Sequence, residues 1–217
     1  MIENIKAESP LVNDKLKSEL SGIFAKLTED MILKSVVDMN DAKGKEMAEF
    51  LAAVAALNEK IHLEVYDASE GTEVPELDQT YLPAVAMYKD GRYCGVAFHG
   101  VPGGQEINSF VLAIYNLAGP GQEISRWTLK KIQKLDKKTN IKICVSLACH
   151  HCPKVVAACQ RIASLNENIE AEMIDATLYK DLVERYKIER VPVVIVNDED
   201  VYVGQKDMEE VLRLIKK

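Results

Sequence analysis

No apolar run in this chain approaches the roughly 20 residues that a helix needs to cross a bilayer, so a membrane-spanning segment is not expected. The first eight residues, Met1 to Glu8, lack the apolar h-region of a signal peptide, which predicts a cytoplasmic protein. Positive charge is also short: 27 Lys and Arg against 34 Asp and Glu leave a formal net charge of -7. Such a chain has no electrostatic reason to approach a phosphate backbone or an anionic membrane, and neither nucleic acid nor membrane is an expected partner. Glycine and proline are few, 11 and 7, which with 47% hydrophobic residues excludes a disordered chain. Cysteine occurs only five times, at unequal spacing, so no structural disulfide framework is expected in a reducing compartment. A close pair of cysteines there points to catalysis or metal binding instead.

The sequence does contain an internal repeat, and a repeat fixes domain organisation better than composition does. Residues 57 to 67 recur at 165 to 175, an offset of 108, with Leu, Asn, Glu, Ile, Glu and Asp retained. The same offset superposes Leu33-Lys34 on Ile141-Lys142, and Leu82-Pro83-Ala84-Val85 falls on Val191-Pro192-Val193-Val194 one residue further on. Further on, the first copy carries extra residues around Val96 to Gly104, a candidate functional loop.

Within each copy, short β-branched runs predict strands: Met31 to Val37, Ile61 to Tyr66 and Ala84 to Tyr88, then Ile141 to Leu147, Ile169 to Ile174 and Val193 to Val196. Between them run helical stripes, Met47, Phe50, Leu51, Val54 and Leu57 in the first copy and Val155, Val156, Cys159, Ile162 and Ala163 in the second. Alternating strands and helices imply an α/β class with a partly parallel sheet. In each copy a hairpin turn, Lys89-Asp90-Gly91 or Asn197 to Asp200, then leads through a last strand to a last helix. Gly119-Pro120-Gly121 ends the first copy and Ser125 to Lys138 reads as a connecting helix, which places the domains at 1–121 and 122–217.

Cys149 and Cys152 follow a buried-looking strand and precede an amphipathic helix that Pro153 can begin. Free amides and the positive dipole end at a helix N-terminus stabilise a thiolate, and only the thiolate attacks a disulfide. Cys149 is the expected nucleophile; Cys152, one turn inward, is the expected resolving thiol. His150 and His151 lie between them, and a protonated imidazole beside the sulfur favours its charged form; the competing reading is two solvated residues filling a turn. Val191-Pro192 is a candidate cis bond that sets substrate-binding backbone beside the site, with Leu82-Pro83 as its counterpart; an ordinary trans proline at a strand start is the alternative. Cys144, Cys159 and Cys94 fall opposite Val36, Leu51 and Val203, aliphatic residues, which marks them as packing positions. The repeat sets Asp41 and Gly44 opposite the cysteine pair, so the first copy is expected to be redox-silent.

Two rival functions stand beside thiol-disulfide exchange. A soft-metal carrier would use the two thiolates for Cu(I), or for zinc with two further ligands. A docking protein would not need Cys149 at all.

Two tandem thioredoxin-like folds, each a central mixed β-sheet flanked by helices, with Ser146-Leu147-Ala148-Cys149-His150-His151-Cys152-Pro153 in the second copy alone, resemble the N-terminal domain found in the F subunit of alkyl hydroperoxide reductase. The resemblance covers nearly the whole chain and implies a protein-disulfide oxidoreductase, an electron-transfer module of a peroxide-reducing system. It would take electrons from a flavoprotein disulfide reductase that oxidises NAD(P)H and deliver them to a peroxiredoxin. The family's glutamate at the start of the last helix of its silent fold matches Glu106, which would serve the cysteines as a base; the usual thioredoxin carboxylate is replaced by Ile143. The alternative is that Glu106 simply favours a helix N-terminus. The chain has no G-x-G-x-x-G fingerprint, so no cofactor is expected on it, and FAD and NAD(P)H are expected on a partner or on a further domain. A stand-alone homologue and a fragment are both compatible with that. The related two-site archaeal-type protein disulfide oxidoreductase carries a cysteine pair in each fold, and this sequence does not.

Overall fold

In the computed structural model, residues 1–216 are described, and among them the chain forms seven α-helices and eight β-strands. The chain divides into two compact units: the first comprises Met1–Tyr93, Ala97–Val101 and Ile114–Gly121, the second Cys94–Val96, Pro102–Ala113 and Gln122–Lys217. The stretch that carries Glu106 belongs to the second unit.

The first unit begins with α1 (Asp14–Phe24), whose first turn is capped by the Asn13 side chain accepting from the Leu16 amide. The strands β1 (Met31–Val37), β2 (Ile61–Asp67), β3 (Ala84–Lys89) and β4 (Arg92–His99) stand in the order β2-β1-β3-β4. β1 runs parallel to β2, which needs the crossover helix α2 (Ala42–Ala55), and antiparallel to β3, with Val36 opposite Ala84. Asp90 and Gly91 both take positive φ, 52° and 72°, so the β3–β4 hairpin turns with the twist of its strands. The core is filled by fully buried Phe24, Leu33, Met47, Phe50 and Met87. Burying one such side chain contributes about 1.5–3 kcal/mol.

The second unit repeats the plan. α4 (Arg126–Gln133) leads to β5 (Thr139–Val145), α5 (Cys152–Ala163), β6 (Ile169–Asp175), α6 (Lys180–Arg185), β7 (Val193–Val196), β8 (Asp200–Val203) and α7 (Met208–Leu214). Its strand order is β6-β5-β7-β8, parallel at β5–β6 and antiparallel elsewhere, with Cys144 opposite Val193. Asn197 and Asp198 supply the two positive-φ positions of its hairpin. The remaining helix, α3 (Ile107–Ala118), follows β4 and a short 3-10 turn at Gly104–Glu106.

The structure differs from the sequence reading at several places. β5 ends at Val145, not Leu147, because the chain turns there, the Cys149 amide bonding back to the Ser146 carbonyl at 2.9 Å. The connecting helix stops at Gln133, so Lys137 and Lys138 lie beyond it; like charges three and four residues apart oppose its extension. By helix start, Cys152 takes the place of Ala42, although the strands keep the offset that sets it opposite Gly44.

Candidate functional site

The core strand β5 delivers its chain end to a loop, Ser146 to His151, and α5 starts at once with Cys152 and Pro153. Cys149 and Cys152 close a disulfide, with Cα atoms 5.5 Å apart. The two sulfurs are not equivalent. Cys149 is half-buried in the loop, whereas Cys152, on the first residue of the helix, is fully buried. His150 and His151 are both exposed, and His151 is the helix N-cap but makes no side-chain capping bond. The first-turn amides of α5 are thus left for a charge at the cysteine pair to use.

Both candidate proline bonds, Leu82-Pro83 and Val191-Pro192, are cis. Pro192 is buried and its carbonyl accepts from the Gly204 amide at 2.8 Å, as Pro83 accepts from Gly100 at 2.8 Å. The pairing of Cys144 with Val193 sets Val191-Pro192 at the same end of the sheet as the cysteine loop. Val191 and Ser146 border one small cleft of about 190 Å³.

Glu106 approaches the loop from the other side. The neighbouring Gln105 amide donates to the Leu147 carbonyl at 2.9 Å, two residues before Cys149. The Glu106 side chain is fully buried; Ser109 donates its hydroxyl to Oε2, while Oε1 has no partner. Burial pushes its pKa up to about 7, against the opposing Ser109 hydrogen bond and with the Asp175 charge adding to the rise. A buried carboxyl whose pKa is raised in this way is chemically able to supply or take a proton at neutral pH.

Sequence reasoning missed Ser109, Asp175 and Arg161. Asp175 could have been found through the repeat, because Asp67-Ala68-Ser69 and Asp175-Ala176-Thr177 make the same turn: each carboxylate accepts from the amide and hydroxyl two residues on. Ser109 and Arg161 have no such signal. Of the packing cysteines, Cys144 and Cys159 are fully buried, and burial pushes both thiols up to about 12. Cys94 is only half-buried. Among the described residues, no three His, Cys, Asp or Glu side chains gather in a group able to hold a metal ion, and no helix is long and apolar enough to cross a membrane.

The thioredoxin domain model matches residues 139–216. Across 202 residues, 93% of this chain, the sequence is 30% identical to a protein named NADH dehydrogenase from Bacillus subtilis and 30% identical to the F subunit of alkyl hydroperoxide reductase from Pseudomonas putida. The chain spans 37% of the length of those two relatives. The NTD_N/C domain of the F subunit of alkylhydroperoxide reductase from Enterococcus faecalis superposes with a TM-score of 0.87 at 39% identity, covering 94% of this chain and 99% of that one. A protein disulfide oxidoreductase from Aeropyrum pernix superposes with a TM-score of 0.83 at 20% identity, which bears on the fold alone. The expected α/β class of tandem thioredoxin-like folds, with mixed sheets flanked by helices, is what these neighbours and the strand orders show.

Proposed function

We propose that this chain, which belongs to the family of the N-terminal domain of the alkyl hydroperoxide reductase F subunit, moves electron pairs by dithiol-disulfide exchange at Cys149 and Cys152. The observation that carries the proposal is the asymmetric pair at an uncapped helix N-terminus, one sulfur half-exposed and the other buried behind it. In the reduced state the Cys149 thiolate attacks a substrate disulfide, releasing one substrate thiol and forming a mixed disulfide. The Cys152 thiolate then attacks Cys149, the second substrate thiol leaves, and the protein is left with its own disulfide. Two electrons have passed to the substrate.

The α5 dipole favours the attacking thiolate, and His150 and His151, between the two cysteines, add to that when protonated. Glu106 takes and returns the proton of the resolving thiol. The Val191-Pro192 backbone offers an extended edge for the substrate chain beside the cysteine loop. The segment 1–121 contains no second pair and acts as a redox-silent partner of the 122–217 fold.

Electrons are supplied by a flavoprotein module that carries FAD and oxidises NAD(P)H, and they are delivered to the disulfide of a peroxiredoxin. The similarity to F-subunit proteins and the 37% share of their length that this chain spans support a division of labour in which the flavin chemistry lies elsewhere. The proposed compartment is the cytoplasm, where a labile pair is catalytic and not structural.

Equilibration in dithiol-disulfide buffers, with mass-tag alkylation, tests the reading. A two-electron transition confined to Cys149 and Cys152, between about -180 and -270 mV, is expected. No transition at those cysteines, with metal retained by the thiols, would replace it with the soft-metal reading.

A further inference from the structure

Arg161 is 8% exposed, and its guanidinium donates from Nη2 to a neutral acceptor, the Gln122 carbonyl, at 2.6 Å. Its Nε is buried without a partner, and among the described residues no carboxylate pairs with it. A buried cation without a counter-charge is costly, and a side chain of this type is rarely kept that way. Burial also pulls its pKa below the ordinary arginine value, yet leaves an arginine charged at neutral pH.

The guanidinium borders a groove of about 480 Å³ within the second unit. One wall is a single face of α5, Pro153, Ala157 and Arg161; the other is formed by Gln105 and Asn108. The groove begins at His150, next to Cys149, and has Lys154 along its side. Glu123 also borders it, exposed and not ion-paired to Arg161.

We propose that this groove seats an extended acidic segment of the disulfide substrate, with a substrate carboxylate paired to Arg161 while the substrate cysteine reaches Cys149. The inference rests on the dithiol reading above and adds the recognition element it lacks. Arg161 is nine residues along α5 from Cys152, about 13 Å at 1.5 Å per residue. An extended chain covers that distance in about four residues at roughly 3.3 Å each. The acidic residue is therefore placed about four positions from the substrate cysteine. The guanidinium, which has no carboxylate partner of its own, offers the substrate carboxylate a charge-assisted pair at the groove wall, away from bulk water, where such a pair is strong.

The test uses the reduced 217-residue protein and synthetic peptides whose single cysteine is held in a disulfide with a neutral thiopyridyl group. Reaction oxidises the protein dithiol to its disulfide and releases the peptide thiol and thiopyridone, which is read by absorbance. Peptides carry Glu or Gln four residues from the cysteine. In single-turnover reactions with peptide in excess, the Glu peptide is expected to half-saturate the rate at about a tenfold lower concentration than the Gln peptide with the same maximal rate, and Arg161→Gln is expected to abolish the difference. Equal half-saturating concentrations for the two peptides on the wild-type protein, with the reaction still lost in Cys149→Ser, would overturn this inference and leave the dithiol reading standing. Thiopyridone release at the wild-type rate by Cys149→Ser would overturn the dithiol reading itself. The peptide comparison requires no variant, so it holds even where Arg161→Gln folds poorly.

Discussion

The Gln105 amide and the Leu147 carbonyl, 2.9 Å apart, join the turn that carries Glu106 to the loop that carries Cys149. This close approach requires glycine at the preceding position. Gly104 has φ +54°, and a Cβ there would lie 2.5 Å from the Leu147 carbonyl oxygen, a backbone atom that cannot swing aside. Gly104→Ala is therefore expected to cost on the order of 2–3 kcal/mol in urea unfolding. The control is Gly91→Ala, also at positive φ but with nothing within 4 Å, which incurs the conformational strain of about 1 kcal/mol alone. Equal losses in the two variants would refute the close approach.

A buried carboxyl should make stability depend on pH in a defined direction. The Glu106 pKa is about 7 in the folded protein against 4.5 ordinarily, raised chiefly by burial. Below 4.5 the group is protonated folded or unfolded and has no effect. As pH rises, the unfolded carboxyl ionises while the buried one holds its proton, so stability is lost between about 4.5 and about 7. The loss is bounded at about 3 kcal/mol. Glu106→Gln is expected to gain on the wild type across that window, read as the difference in denaturant midpoint at pH 4, 6 and 8. A pH-independent difference would count against a raised pKa, and with it against a proton-exchanging role.

Thiol reactivity separates the five cysteines. With the thiols of Cys144 and Cys159 pushed up to about 12, their thiolate fraction at pH 8 is on the order of 10⁻⁴. In the reduced native protein, alkylation is expected first at Cys149, with Cys144 and Cys159 modified only after denaturation. Timed quenching and peptide mass mapping read the order. Labelling of Cys159 as fast as Cys149 in folded protein would contradict its burial.

The strands were legible because their β-branched runs are buried on the sheet, and Met31–Val37 and Val193–Val196 keep the bounds the sequence implies. The cysteine pair was legible because its position after a strand and before a helix is local. α1 was not anticipated: of its residues only Leu20 and Phe24 are buried, too sparse a stripe to register. Arg161 stands off the apolar stripe of α5 and reads as a solvated position, yet it is buried beneath Gln122, a contact 39 residues away that no local period encodes. The burial of Glu106 was hidden too, since a Glu at a helix start is ordinarily exposed, although its Ser109 partner is only three residues on.

The absence of chemistry in the first unit is built into its backbone as well as its residue types. The Asp41 carboxylate caps α2, accepting from the Lys43 and Gly44 amides at 3.0 and 3.1 Å. A Cβ at Gly44 would overlap the Asp38 carbonyl oxygen. Asp41→Cys together with Gly44→Cys is therefore expected to lose a cap, worth about 1 kcal/mol, and to force the backbone at Asp38 aside, several kcal/mol in all. Asp41→Ser, which keeps a capping oxygen, should be nearly neutral. In graded dithiol buffers the double-cysteine variant should show the transition at Cys149 and Cys152 and no second one. A second two-electron transition without loss of stability would mean that cysteines alone, and not the geometry of the turn before α2, separate a silent fold from a working one.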